Sequence, residues 1–315
     1  MRRSIFLFIL LISFSLSIAS QSLCDQDGFR VLHFTKTTGF DHNTRNESNS
    51  MFSAIGASRG FTITNTQNTD LFDELDSLLN FPVIIFSNAS SNNNNPALSA
   101  AQQSNFKAYI EAGGSFIGIH AASDAYRNNN WTFYTDTVLG SVVQSSPNHT
   151  SSNHVNDMDH MTSHETLSGI PDPWSKEEEY YYWDINGGMI DSTNFTGLLR
   201  VRNTGSNSYD RTRRMAWYRE LPSGARTFYT ALGHKKNNYT TAGNTFRKLL
   251  ENAVCWTANS QPGVVNGGNV KVVGGNLSIV DAGTGVILKS PGGDCFLLTV
   301  DDDGQLITTS TTCVN

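Results

Sequence analysis

Charge is scarce in this sequence. Lys, Arg, Asp and Glu make up only 16% of the 315 residues, and the formal net charge is −6. A chain with that balance has no electrostatic means of holding nucleic acid or an anionic membrane surface. Long apolar runs are missing as well. Past the first twenty residues no segment approaches the roughly 18 apolar residues of a spanning helix, so no transmembrane segment is expected in the mature chain. No glycine-rich phosphate loop is present: Gly113-Gly114 precedes a strand instead of opening a helix, which argues against nucleotide binding. Ser123-Asp124 lacks the G-x-S-x-G surroundings of a serine-hydrolase elbow. Cysteine is limited to four residues, none at close metal-ligand spacing.

What is present begins at the N-terminus. Arg2 and Arg3 precede a mostly apolar stretch over residues 5–18 that ends in Ala19-Ser20. That order is the signature of a secretory signal peptide, read here as residues 1–20. The chain is therefore expected to be extracellular, or periplasmic in a bacterium. An even cysteine count in an exported chain suggests disulfides. Cys295 and Cys313 flank one short β-rich segment and are paired locally; Cys24 and Cys255 flank the main domain and are paired across it. Seven Asn-x-Ser/Thr sequons, at Asn46, Asn88, Asn130, Asn148, Asn194, Asn238 and Asn276, are glycan candidates in a eukaryotic source.

The pattern along the chain alternates strands and helices. Residues 30–34, 61–64, 83–86 and 115–119 read as strands, and those at 30–34 and 83–86 are short apolar runs of the kind a sheet buries on both faces. Helical spacing falls at about 43–60, 70–79 and 99–112, the last ending at Gly113-Gly114. This rhythm predicts a doubly wound, mostly parallel α/β sheet. Residues 131–139 read as a helix, 141–164 as a polar, His-rich loop, 215–218 and 226–230 as strands, and 244–256 as an amphipathic helix. The main domain spans 24–260. A Pro/Gly linker at 261–268 then opens a small all-β appendage, residues 261–315, with short strands expected at 270–273, 277–280, 286–288, 295–300 and 306–309.

In open α/β sheets, ligands bind beyond the carboxyl ends of the strands. His42 and His120 follow the first and fourth strands and can converge there; Asp124 lies four residues past His120 and can orient its imidazole. Glu179 and His234 end or follow later strands. Lys36 and Tyr180 can hydrogen-bond sugar hydroxyls, while Trp217 and Tyr229 read equally well as core. Such a cluster suits proton transfer on a carbohydrate, with His120, Glu179 and His234 as catalytic groups and Lys36, His42, Asp124 and Tyr180 as substrate-binding groups. No cofactor is assigned, although two or three histidines with a carboxylate can equally hold a divalent metal. His149, His154, His160 and His164 lie in the polar stretch and are expected to be mostly solvated.

Five motifs carry a resemblance. They are residues 34–42 (FTKTTGFDH), 118–124 (GIHAASD), 178–180 (EEY), 215–218 (MAWY) and 228–234 (FYTALGH). In order and spacing they resemble the ThuA-like (trehalose-utilisation) family, whose fold is similar to class I glutamine amidotransferases, over roughly residues 29–258. The resemblance implies a flavodoxin-like domain associated with sugar metabolism. Among the histidines of the polar stretch, His164 best matches a recurring histidine of that family. Amidotransferases carry a Cys at the elbow after the strand; here that position is His120, and without a thiolate glutamine hydrolysis is disfavoured. The leading expectation is a secreted protein that binds or processes a carbohydrate at the carboxyl edge of its sheet. The alternatives are a noncatalytic binding or surface-assembly protein, with cell-surface or self-association through the appendage, and a metal-dependent hydrolase.

Overall fold

A computed structural model describes residue 24 and residues 28–92, 95–127, 131–144, 146–183, 193–206, 211–240, 244–259 and 285–312. The signal-peptide stretch and the strands expected at 270–273 and 277–280 lie outside the described residues. The chain divides into two compact units, one ending at Asn266 and the other beginning at Gly267.

The first unit is built on a nine-stranded sheet. Its strands are β1 (Arg30–Phe34), β2 (Thr62–Thr66), β3 (Val83–Ser87), β4 (Ser115–Ile119), β5 (His154–His160), β6 (Trp174–Glu178), β7 (Thr196–Val201), β8 (Arg213–Glu220) and β9 (Arg226–Thr230), in the spatial order β2-β1-β3-β4-β9-β8-β7-β5-β6. The first five in that order are mutually parallel; the remaining pairings are antiparallel. Burial explains the division. β3 and β4 are buried at every residue, as a central parallel strand covered on both faces must be. β2, at the edge, is partly exposed along its length.

Helices α1 (Arg45–Arg59), α2 (Leu75–Leu79), α3 (Ala100–Glu111), α4 (Asn237–Thr240) and α5 (Thr245–Ala258) cover the parallel half. The chain steps from β1 to β2 in one direction and from β3 to β4 in the other. Right-handed crossovers therefore put α1 and α3 on opposite faces. α1 stops at Gly60, which takes the left-handed conformation a C-cap needs. α3 starts at a Ser99–Gln102 capping box, and α5 at Asn244, whose side chain accepts from the Arg247 amide. The face of α5 carrying Phe246, Leu249, Leu250, Ala253 and Val254 is buried. Between helix and sheet the core is strongly aromatic: Phe34, Phe72, Phe86, Phe106, Phe116 and Tyr134 form a chain of ring contacts with centroids 4.9–6.4 Å apart.

Two expectations are corrected here. Residues 141–164 are not all loop, because 154–160 form β5. Only Met158 of that strand is buried, so it shows no apolar alternation, and it is held by polar pairs instead, with Asp157 and Asp159 bound to Arg202. Residues 70–79 are not one helix but a 3-10 turn, Asp70–Phe72, followed by α2. The stretch near 131–139 is helical, with π-type turns over Phe133–Leu139. Trp217 and Tyr229 are both core residues.

The second unit contains β10 (Val286–Lys289), β11 (Cys295–Val300) and β12 (Leu306–Thr311) in one antiparallel sheet. Cys295 is disulfide-bonded, while its expected partner Cys313 lies outside the described residues. Cys24 and Cys255 form a disulfide across 231 residues, tying Cys24, ahead of β1, to α5. Among the described residues no helix is long and apolar enough to cross a membrane.

Two predictions follow from these constraints. A loop of that length loses much chain entropy when closed, so Cys24→Ser/Cys255→Ser should lower stability by about 2–5 kcal/mol in denaturant unfolding. His33 is fully buried on β1, its Nδ1 2.8 Å from Asn65 Oδ1. Burial pulls its pKa down to about 4, against the smaller lifting effect of hydrogen bonds to Asn65 and Asn49. The unfolded chain therefore binds a proton at His33 near pH 6.5 that the folded chain refuses until about pH 4. Stability from this group is complete above pH 6.5 and is lost as pH falls between those values. The loss is on the order of 3 kcal/mol. His33→Gln should lose visibly less stability than the wild type between pH 7 and 4.5; equal losses would rule out this origin.

Candidate functional site

The site grows from an elbow. β4 ends at Ile119, and the next residue, His120, has φ +48°, left-handed territory that non-glycine residues rarely enter. The turn is held open by its own carbonyl, which accepts hydrogen bonds from Tyr229 Oη (2.9 Å) and Ser123 Oγ (3.2 Å). Gly118 precedes it because a Cβ there would meet Leu139 and Tyr229 at 2.9 Å. The elbow aims the His120 ring inward, fully buried, with Nδ1 2.6 Å from the Ala231 carbonyl and the ring stacked on Tyr181 at 4.3 Å. A carbonyl only accepts, so Nδ1 carries a proton, and Nε2 faces the site.

Glu179 stands opposite, just past β6. Its Oε2 lies 3.4 Å from His120 Nε2 and 3.0 Å from His234 Nδ1, and its Oε1 lies 3.1 Å from His149 Nδ1. Burial pushes this carboxyl upward, but the hydrogen bonds and charges of His120 and His234 outweigh it and hold the group well below the usual carboxylate range. His42 completes the cluster from the loop after β1, its ring edge-on to His120 (4.7 Å) and His234 (5.1 Å). Burial, reinforced by the neighbouring imidazoles, lowers its pKa to about 2, so the ring is neutral. One ligand atom from each of His42, His120, Glu179 and His234 lies within 4.8 Å of the others.

Adjacent Glu178 points the other way and does a different job. It is fully buried and accepts from the Gly233 amide (2.9 Å), the His234 amide (3.1 Å), the Glu179 amide (3.1 Å), Lys176 Nζ (2.7 Å) and Asn238 Nδ2 (3.2 Å). Burial alone would raise its pKa; Lys176 and the other donors hold it below its ordinary value. Glu178 therefore fixes the loop that carries His234. Asn88, in the turn after β3, does the same for the remaining loops. Its Nδ2 is within reach of Thr44 Oγ1 (2.9 Å), the Gly233 carbonyl (3.1 Å) and Tyr239 Oη (3.1 Å), and its Oδ1 accepts from the Ala121 amide (3.3 Å).

Above the cluster opens a cavity of about 460 Å³ lined by Phe40, His42, Asp124, Arg127, Asn148, His149, Glu179, Tyr181 and His234. Asp124 is paired with Arg127 rather than with His120. Burial raises the pKa of Asp124 despite the opposing pull of Arg127.

The structure thus brings His42, His120, Asp124, Glu179 and His234 to one place and leaves two sequence candidates outside it. Lys36 Nζ donates to the Ala97 carbonyl (3.0 Å), bracing the loop after β1 against the segment before α3. Tyr180 is buried, with its hydroxyl on the Lys176 (2.7 Å) and Asn156 (3.2 Å) carbonyls; the extended backbone turns alternate side chains apart, so Glu179 and Tyr181 face the cavity and Tyr180 does not. The polar-stretch histidines His149, His154, His160 and His164 are all partly exposed. His149 touches Glu179, and its Nδ1, also 2.6 Å from the Thr150 carbonyl, donates to acceptors only. His164 stacks on Tyr218 at 4.1 Å and lines a separate, open cavity with His160 and Asp172. Arg127 and Tyr181 lie beside the motifs with no signal of their own, while Glu178 stands inside the 178–180 motif and Asn148 is a sequon, neither marked by sequence as part of the site.

Fold and site together define a flavodoxin-like α/β protein with a histidine–carboxylate cluster at the carboxyl edge of its parallel strands. The model of the trehalose-utilisation (ThuA) family matches residues 30–257, and the chain belongs to that family. Solved structures agree on the fold. A ThuA-like protein from Bacteroides uniformis is 18% identical, with a TM-score of 0.58 over 78% of this chain and 95% of its own. A second, from Parabacteroides merdae, is 16% identical, with a TM-score of 0.53 over 74% and 91%. No curated protein sequence matches the chain.

Glu178 gives this site a direct test. Removing one partner from a buried ion pair leaves the other uncompensated. Glu178→Ala should lower unfolding stability by about 3–5 kcal/mol and Glu178→Gln by less. A Glu178→Ala protein of wild-type stability would contradict the anchoring role.

Proposed function

We propose that the chain binds a carbohydrate in the cavity above His42, Glu179 and His234 and can move a proton to or from it. The observation that carries this reading is the lining itself. At about 460 Å³ the cavity falls within the roughly 300–1,000 Å³ of small-molecule sites. It pairs two aromatic faces, Phe40 and Tyr181, with donors and acceptors on Asp124, Arg127 and Asn148. Sugars present that combination, with apolar ring faces edged by hydroxyls. Phe40 is 67% exposed, free to cover a ring at the rim. The trehalose-utilisation family supports the same class of ligand. Glu179, ringed by imidazoles, is placed to accept a hydrogen bond from a ligand hydroxyl, and the His234 ring beside it to take up the proton.

Export to an oxidising compartment is part of this proposal, supported by the apolar leader and by a disulfide between Cys24 and Cys255. Under it, Asn46 and Asn194 are the exposed glycan candidates. Asn88 and Asn238 use their amides inside the fold, Asn148 lines the cavity, and Asn130 and Asn276 lie outside the described residues. A noncatalytic surface role is favoured by a different observation, the exposed apolar side chains Ile287, Leu288, Phe296, Val300, Leu306 and Ile307 of the second unit.

A thermal-shift screen of aldoses, keto-sugars and disaccharides tests the cavity. A ligand at 100 times its Kd should stabilise the protein by about 2.7 kcal/mol. Arg127→Ala and Asp124→Ala should abolish that shift. If no sugar shifts the wild type, the carbohydrate reading falls and the surface role is preferred.

A further inference from the structure

We infer that His42, His120, His234 and Glu179 form a binding site for one divalent transition-metal ion of the zinc class. Three geometric observations converge on it. The first is spacing. Tetrahedral ligation at about 2.0–2.1 Å places ligand atoms about 3.3 Å apart. Here His120 Nε2 lies 3.4 Å from Glu179 Oε2 and 3.4 Å from His234 Nδ1, and His234 Nδ1 lies 3.0 Å from Glu179 Oε2. A nitrogen of His42 joins them within 4.8 Å.

The second is the proton arrangement. His120 gives its only neutral-ring proton, on Nδ1, to the Ala231 carbonyl at 2.6 Å. Its Nε2 is then turned toward Glu179 Oε2 and His234 Nδ1, at 3.4 Å from each. Three such atoms drawn together call for a shared positive charge, and a metal ion among them supplies it while ligated by all three. An imidazole whose far nitrogen donates to a backbone carbonyl is also the usual way a metal-binding histidine is oriented. His149 supplies the matching support on the carboxylate side, its Nδ1 3.1 Å from the other Glu179 oxygen.

The third is an unsatisfied atom. His42 Nδ1 is buried without a hydrogen-bond partner among the described residues. A buried polar atom left unpaired costs free energy and calls for an explanation. His42, His234 and Glu179 also line the cavity, so an ion held here is reached from the side where a ligand enters. Three nitrogens and one carboxylate oxygen suit zinc and its neighbours better than calcium or magnesium, which prefer oxygen.

The inference stands apart from the identity of the cavity's occupant, and its test needs no sugar. Full-length protein is stripped with a chelator, then titrated with Zn²⁺ by calorimetry and with Co²⁺ by visible absorption. One ion should bind per chain, with the intense bands of tetrahedral cobalt and a raised melting temperature. His42→Ala and His234→Ala should each weaken binding by at least about tenfold. Should either alanine variant fail to fold, His42→Gln and His234→Gln replace them, with folding checked by circular dichroism in the metal-free state. Absence of stoichiometric binding to the wild type, a six-coordinate cobalt spectrum, or unchanged affinity in both variants would overturn the site. Sugar binding without metal binding would sink this inference alone; metal binding without sugar binding would sink only the proposed function.

Discussion

The arrangement depends on one buried carboxylate. Glu178 has no contact with solvent, and an ion of that size taken out of water costs several kcal/mol unless it is met by charge and hydrogen bonds. It is met by five donors drawn from β6, the turn after β9 and α4. Those donors belong to segments distant in sequence, so the charge can be tolerated only when they are gathered. The backbone amides of Gly233 and His234 are among them, and through them the desolvation of Glu178 is coupled to the position of the His234 ring. Gly233 is suited to the turn, with φ +115° and a Tyr239 hydroxyl 2.7 Å from where a Cβ would stand.

The neighbouring pair of acids then separates structure from chemistry by direction alone. Extended backbone sends successive side chains to opposite sides. Glu178 turns into the protein and Glu179 into the cavity; Tyr180 turns in and Tyr181 out. His120 reaches the same place by a different device. Its left-handed backbone is a strained conformation, held by Tyr229, Ser123 and the Ala231 carbonyl. Each member of the cluster is positioned by partners that lie outside it.

The parts of the fold legible in the sequence were those governed by local pattern. β3 and β4 are short runs with flanking turns, and α3 carries its own start signal in Ser99 and Gln102. β5 was not legible, because a strand stabilised by Asp157 and Asp159 on Arg202 shows no apolar period. At the site, residues at strand ends could be placed from topology: His42, His120 and His234 follow parallel strands and share an edge. What topology does not carry is side-chain direction within a motif, which is why Tyr180 stood for Tyr181 and Lys36 was included. His149 was hidden for a related reason. Its approach to Glu179 comes from an isolated bridge to Tyr181, in a stretch whose composition reads as solvated loop.

The elbow shows how a fold can keep its geometry while changing its reach. A cysteine at that corner would present a thiol. An imidazole is longer and carries two nitrogens, so one can be tied to the scaffold while the other faces the site. His120 uses both: Nδ1 on the Ala231 carbonyl, Nε2 toward Glu179. A thiolate at this corner would act as a nucleophile. A fully buried imidazole with Nδ1 tied to a backbone carbonyl is instead fixed in place, with Nε2 beside Glu179 and His234. The members of the cluster that line the cavity are Glu179, His42 and His234, while His120 is fully buried.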